Sequence, residues 1–296
     1  MDLNQIYTLA VNVIIVMAFV LPIRFVLAKH LGVNAKSELD RSDNAAFGVA
    51  IGGGVLGLIL MLTGVMSGEP MAVISEEIMS LVVYGVFGFI LMIAGVLIQD
   101  RIVIRGISLS EEISKGNMAA AFIVAINMTV VGLVLKNAIT WTDGDGLDGL
   151  VPIVVVFIAS QVVLALVAFI RMTVYKLRNS KNTDNNVANS WQEAIASQNS
   201  AIALRYAGQV LATGILIATT SLIVDGDSLV SIALYWGGTA IALSLAVWLA
   251  YRLFLPMILF KVNVVEEVDQ QGNVGVAAVE AALFVGLAFM ASAYIL

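Results

Sequence analysis

Glu111-Glu112-Ile113-Ser114-Lys115-Gly116-Asn117 stands directly before a long apolar run, and its pattern of a Glu six residues ahead of an Asn recurs three more times. The pairs are Glu38 with Asn44, Glu111 with Asn117, Glu193 with Asn199, and Glu267 with Asn273. Small residues keep step behind each Asn. Two positions on stand Ala46, Ala119, Ala201 and Gly275; four on, Gly48, Ala121, Ala203 and Ala277; eight on, Gly52, Ala125, Ala207 and Ala281. A single E-x5-N carries no information. Four copies in step with three small-residue columns define an internal repeat, and a repeat dictates architecture before anything else does.

Of the 296 residues, 60% are hydrophobic and 12% charged, about half the charged share of a soluble domain, roughly 25%. Apolar runs near 3–28, 44–66, 78–99, 117–139, 151–175, 199–224, 229–259 and 273–296 are each long enough to cross the membrane. At 1.5 Å per residue, about 20 residues span the roughly 30 Å of hydrocarbon. Helices are expected, because lipid offers unpaired backbone groups no partner and barrel strands would alternate in polarity. The expected fold is therefore all-α: a polytopic integral membrane protein with eight transmembrane helices. The first run lacks a cationic leader and a small-residue cleavage site, so it reads as a span and not a signal peptide.

The basic residues orient the spans. Links after spans one, three, five and seven hold Arg24, Lys29, Lys36 and Arg41; Arg101, Arg105 and Lys115; Arg171, Lys176, Arg178 and Lys181; Arg252 and Lys261. The alternate links hold acids: Glu69, Glu76 and Glu77; Asp143, Asp145 and Asp148; Asp225 and Asp227. The positive-inside rule then puts all four motifs on the cytoplasmic side and both termini outside. The lipid bilayer is the partner implied by this composition, and the net charge of −6 is no argument for nucleic acid.

The repeat unit is a helical hairpin of about 75 residues. Two halves follow, 1–145 and 146–296, with repeats at about 3–68, 76–140, 150–225 and 229–296. Two spans per unit give every hairpin the same orientation, so the four are parallel repeats and not inverted ones. Gly116-Asn117-Met118-Ala119-Ala120-Ala121, and Gly272-Asn273-Val274-Gly275-Val276-Ala277 with Gly286, resemble the repeat of the YjfL family of bacterial inner-membrane proteins, a domain-of-unknown-function family. Members of that family usually carry two repeats, so this chain is a doubled form. Asp43 and Gln198 replace the glycine expected before the Asn in copies one and three. The resemblance implies residence in the bacterial inner membrane and a link to envelope stress; it supplies no reaction.

Each Asn suits an N-cap, because its side-chain oxygen accepts from an orphan N–H of the first helical turn. Gly116 and Gly272 suit a helix that ends and restarts. Leu109 with Ile113, and Trp191 with Ile195, give the preceding segments one apolar face, as in a short interfacial helix. If the hairpins close around an axis, the four Glu form an acidic ring favouring cations. Gly48 with Gly52, and Gly53 with Gly57, are small-xxx-small pairs that let helices approach closely in lipid.

Ionisable groups inside a membrane mark function more often than not. Arg205 lies six residues after its Asn and Glu280 seven after its own, about 9–10 Å below the motif, so the two are matched in depth for an ion pair. Asn127 and Gln209, each ten after their Asn, are a second matched pair. With no Cys and one His, His30, no metal site, cofactor or catalytic residue is expected. Asp143-Gly144-Asp145-Gly146-Leu147-Asp148 reads as a solvated acidic turn, since the twelfth position of a calcium loop is Val154. Two function classes stand. One is a passage for ions or small solutes. The other is a membrane scaffold of an envelope-stress system, recruiting a peripheral cytoplasmic protein through the 176–198 link and its Trp191. Both leave room for a homo-oligomer.

Overall fold

The computed structural model describes residues 3–30, 34–41, 43–67, 74–142, 146–179, 187–226 and 228–295. Glu69, Asp143, Gly144, Asp145, Lys181 and Asp227 lie outside the described residues. Among the described residues all regular structure is helical, and eight helices are long and apolar enough to cross a membrane. These are α1 (Leu3–His30), α2 (Ala45–Met66), α3 (Ile74–Ile98), α4 (Met118–Trp141), α5 (Leu150–Asn179), α6 (Ser200–Thr219), α7 (Leu229–Ile258) and α8 (Val274–Ile295).

The even helices form a row. α2 packs extensively on α4, α4 on α6 and α6 on α8, while the odd helices lie against the outside of that row. Burial follows position: 78% of the membrane window of α6 and 67% of that of α4 are buried, against 11% for α1 and for α7. The outer surfaces are apolar, with Ile14, Leu21, Val162, Leu234 and Met257 all exposed, as lipid-facing positions require.

Glycines decide how close the row packs. A Cβ added at Gly53 would lie 2.3 Å from the Ala125 Cα, and one at Gly57 would lie 2.3 Å from the Met128 carbonyl oxygen. On the second pair a Cβ at Gly208 would lie 2.4 Å from the Ala281 Cα. Gly53 and Gly208 are each nine residues after their Asn, and Ala125 and Ala281 each eight after theirs. The α2–α4 and α6–α8 contacts are therefore one contact built twice. Gly53 and Gly57 make the close approach; Gly48 and Gly52 do not, since a Cβ at Gly52 would meet nothing within 4 Å.

Contacts advance from Gly53–Ala125 to Gly57–Met128 to Gly64–Lys136, so α2 and α4 run the same way. The row is open. With backbones this near, its helices enclose no axial lumen, and the four Glu cannot form a closed ring around an axis. This corrects the ring expected for hairpins arranged about a centre. Direct glycine-mediated packing replaces it.

Candidate functional site

On one side of the bundle each even helix begins at its Asn, and the four Asn side chains are built into one linked collar. The Asn44 Oδ1 accepts from the Phe47 N–H at 3.0 Å, Asn117 from Ala119 and Ala120 at 3.0 and 3.2 Å, Asn199 from Ile202 at 3.1 Å and Asn273 from Val276 at 3.1 Å. Each cap is worth about 1 kcal/mol to its helix. With the oxygen committed to the cap, the amide nitrogen is free to donate twice.

One donation reaches the next unit. Asn44 Nδ2 donates to the Ile113 carbonyl at 2.9 Å, Asn117 Nδ2 to the Ile195 carbonyl at 2.7 Å, and Asn199 Nδ2 to the Val268 carbonyl at 3.5 Å. The other reaches an acid of the same unit, and here the four copies divide. Asn44 donates to Glu38 at 2.8 Å and Asn273 to Glu267 at 2.7 Å. Asn117 donates to Glu112 at 2.9 Å, not to Glu111.

Local structure explains the division. Copies one and four approach through π-helical turns, Ser37–Arg41 and Glu266–Gln270, closed by bonds from the Asn N–H to the carbonyl six back. Copies two and three approach through short α-helices, Leu109–Ser114 and Trp191–Ala196, and close with the carbonyl five back. That single residue of difference rotates the sixth position away from the Asn. Glu111 and Glu193 become exposed third residues of their short helices, whose N–H groups donate to the capping Ser108 and Ser190. Glu193 also accepts from the Asn189 N–H at 2.9 Å. The E-x5-N spacing thus conceals two geometries; the capping residue stands nine before the Asn in copies two and three (Ser108, Ser190) and ten before it in copies one and four (Asn34, Asn263), which is the signal that separates them.

Burial of the Glu112 carboxyl, which alone would raise its pKa, is outweighed by hydrogen bonds from Lys115 and Asn117 and by the Lys115 charge, so it ionises below its ordinary value. The residue before the Asn is left-handed in every copy: Asp43 (φ 45°), Gly116 (φ 84°), Gln198 (φ 62°) and Gly272 (φ 67°). Leu109, Ile113, Trp191 and Ile195 are all buried. Trp191 packs on Tyr206 with ring centroids 5.3 Å apart, so it is core and not the exposed docking residue expected on that link.

Among the described residues the buried acids, Asp269 and Glu280, lie in the second half. Arg205 on α6 donates through Nε to Glu280 Oε2 on α8 at 2.6 Å, through Nη1 to Asp269 Oδ1, and through Nη2 to the Val264 carbonyl at 3.0 Å. The Tyr251 hydroxyl on α7 donates to the other Glu280 oxygen. Asp269 and Glu280 are only 3% and 2% exposed, and Arg178 stands 4.0 Å from Asp269. Two acids facing an arginine, with a second arginine behind, balance the buried charge, which an isolated group could not. At the equivalent places the first half has Ala50 and Val124, both buried.

Asn127 and Gln209 do not meet. Asn127 accepts from the Tyr206 hydroxyl at 3.4 Å, whereas Gln209 borders a cavity of about 350 Å³ between α5, α6, α7 and α8. A smaller void of about 30 Å³, shared by Arg171, Arg178, Arg205, Gln209 and Asp269, has room for a water or two. Sequence reasoning missed Tyr251, Asp269 and Arg171. Asp269 hid in a link where acids are ordinary, and Tyr251 and Arg171 acquire partners only through packing.

These features define a multi-pass helical membrane protein of internal repeats. The chain belongs to the family described as Domain of Unknown Function (DUF350), which matches it twice, over residues 1–139 and 144–295. No curated protein and no solved structure matches it.

Proposed function

We propose that this protein is a carrier or passage for ions or small charged solutes, with its route through the second half and not along an axis shared by four units. One observation carries this reading: the Arg205–Glu280–Asp269–Tyr251 cluster lies within the bundle, and Arg205 and Asp269 line the small void that shares Arg171 and Gln209 with the larger cavity. Charge inside a membrane protein is costly and marks ion or substrate pathways. The first half, which has Ala50 and Val124 in place of the ion pair, completes the row as a support. The motif collar faces the cytosol of a bacterial inner membrane in this reading, as the basic links and the YjfL likeness suggest.

A second reading is favoured by the collar. Its inter-unit bonds, with Gln192 Nε2 donating to the Arg105 carbonyl at 2.9 Å, knit the links into one continuous surface suited to holding a peripheral protein of an envelope-stress system. Proteoliposomes separate the two. Cation and proton flux by the wild type should fall at least about tenfold in Glu280→Gln, a loss of about 1.4 kcal/mol or more in barrier terms, while Glu111→Gln and Glu193→Gln leave it unchanged. Flux that ignores Glu280→Gln and Arg205→Gln sinks the passage. No flux at all, with specific retention of a cytoplasmic protein on the immobilised chain, selects the scaffold.

A further inference from the structure

The row of even helices has two free ends, and they carry the two sides of one junction. In the collar each Asn reaches the carbonyl of a residue four or five before the next Asn: Ile113, Ile195 and Val268. All three of those residues are fully buried. Leu39 stands five before Asn44 as Val268 stands five before Asn273, yet it is 44% exposed. At the other end, Asn273 caps its helix and grips Glu267, and among the described residues its amide donates to no further carbonyl. The first unit keeps the seat, and the last unit the donor, of a bond made at every junction inside the chain.

The helix faces repeat this asymmetry. Inside the row the residue thirteen after one Asn packs near the residue fifteen after the next: Gly57 with Gly132, and Val130 with Gly214. The same register pairs Ala212 with Ala288 at the third junction, and both are buried. Nearer the collar, position nine meets position eight, as Gly53 meets Ala125 and Gly208 meets Ala281. One step further along the row, this register sets Gly286 and Ala282 of α8 against Ile59 and Gly52 of α2 in a second copy. All four are exposed, and a Cβ added at Gly52 or Gly286 would meet nothing within 4 Å. Positions that pack on a neighbour inside the row are therefore bare at its two ends. Size complements size too: Gly214 makes room for Val130 within the chain, and Gly286 would make the same room for Ile59. Small residues of this kind let helices approach closely in lipid.

We infer that copies of this chain associate head to tail, α8 of one against α2 of the next, so that the row continues from chain to chain. Asn273 would donate to the Leu39 carbonyl of the next copy, and Leu39 would be covered as Val268 is. The junction keeps every collar on the same side of the membrane. It joins two different surfaces, so it adds further copies until the rotation closes a ring. It requires no solute route and stands or falls separately from the passage.

The chain has no cysteine, so cross-linking in membranes tests the junction directly. Gly64 and Lys136, twenty and nineteen after their Asn, are in contact inside the chain. Ala293 and Thr63 hold those two positions at the free ends. Thr63→Cys with Ala293→Cys in one chain, treated with a short bis-methanethiosulfonate, should give a ladder of dimers and higher species. Each single variant alone should give none, and the two co-expressed should cross-link as mixed pairs. Thr63→Cys with Phe169→Cys, an exposed position on α5 in the middle of the row, should give none. Gly286→Leu sets a large side chain against Ile59 from a position in open space on its own chain. It should cut the ladder about fivefold or more, the effect of overpacking a contact. Native mass spectrometry of the cysteine-free protein should show two or more copies for the wild type and one for Gly286→Leu. Self-pairing of either single variant would mark a symmetric contact and overturn the inference. So would a double variant without a ladder, a ladder matched by the Phe169→Cys pair or indifferent to Gly286→Leu, or a wild type found only as single chains.

Discussion

Asn44 and Asn117 each do three jobs with one amide, whereas Asn273, in the last unit, caps its helix and grips Glu267 without reaching onward. In the first two the oxygen caps the helix, one N–H group grips the acid behind it, and the other reaches the carbonyl of the next unit. The third copy falls short because Ala194 stands where Glu112 stands in the second, so Asn199 has no acid partner of the kind Asn117 enjoys. The left-handed residue before each Asn allows a direct test. Gln198 at φ 62° carries a side chain where the left-handed conformation costs about 1–2 kcal/mol, and glycine's extra unfolded-state freedom returns about 0.5–1 of that. Gln198→Gly should therefore raise stability by roughly 0.5–1 kcal/mol, and Gly116→Ala should lower it by about as much. Thermal unfolding in detergent reads both; a Gln198→Gly protein that melts lower would refute the strain.

The even helices are held by shape and not by polarity. Between α2 and α4 the closest contacts are backbone on backbone, at Gly53, Gly57 and Gly132. Thr129 adds a hydroxyl shared between the Ala125 carbonyl at 2.9 Å and the Gly53 carbonyl at 3.4 Å. In lipid there is no hydrophobic drive to bring helices together, so such packing supplies most of the association. Gly57→Leu must then force the pair apart, at a cost of about 3 kcal/mol or more, the upper end for overpacked cores. Gly52→Leu, on the neighbouring position with open space around it, should cost under about 0.5 kcal/mol. Protease resistance and melting temperature of the two variants give the comparison, and equal effects would show that the glycine contact is not what binds the row.

Taken together, the two halves use one scaffold for different ends. The cap collar and the glycine contacts recur in both, at the same spacing from each Asn. The charged cluster and the larger cavity occur in the second half, where Arg205 and Glu280 replace the buried Ala50 and Val124. A doubled repeat permits this, because one half can keep the packing intact while the other gives up apolar core for buried charge. Arg205 is held by three separate acceptors, two carboxylates and a carbonyl. Exchanging it with Glu280 would set a new carboxylate against Asp269, so a charge swap is a poor probe of this pair, and the neutral variants used for flux are the better ones.

Eight helices, four repeats, the cap role of each Asn and the depth match of Arg205 with Glu280 were all legible in the residues. They depend on period, length and spacing along one chain, and a helix converts spacing into depth at a constant rise. Which acid would face Asn117 was not legible from E-x5-N, because a π turn and an α turn differ by one residue in closing the link. Nor did the spacing say that the even helices form an open row in place of a ring, or that Asp269, Tyr251 and Arg171 come to the same place. Those outcomes rest on which faces of separate helices meet. Only backbone contact at the glycines and the third dimension of packing decide that.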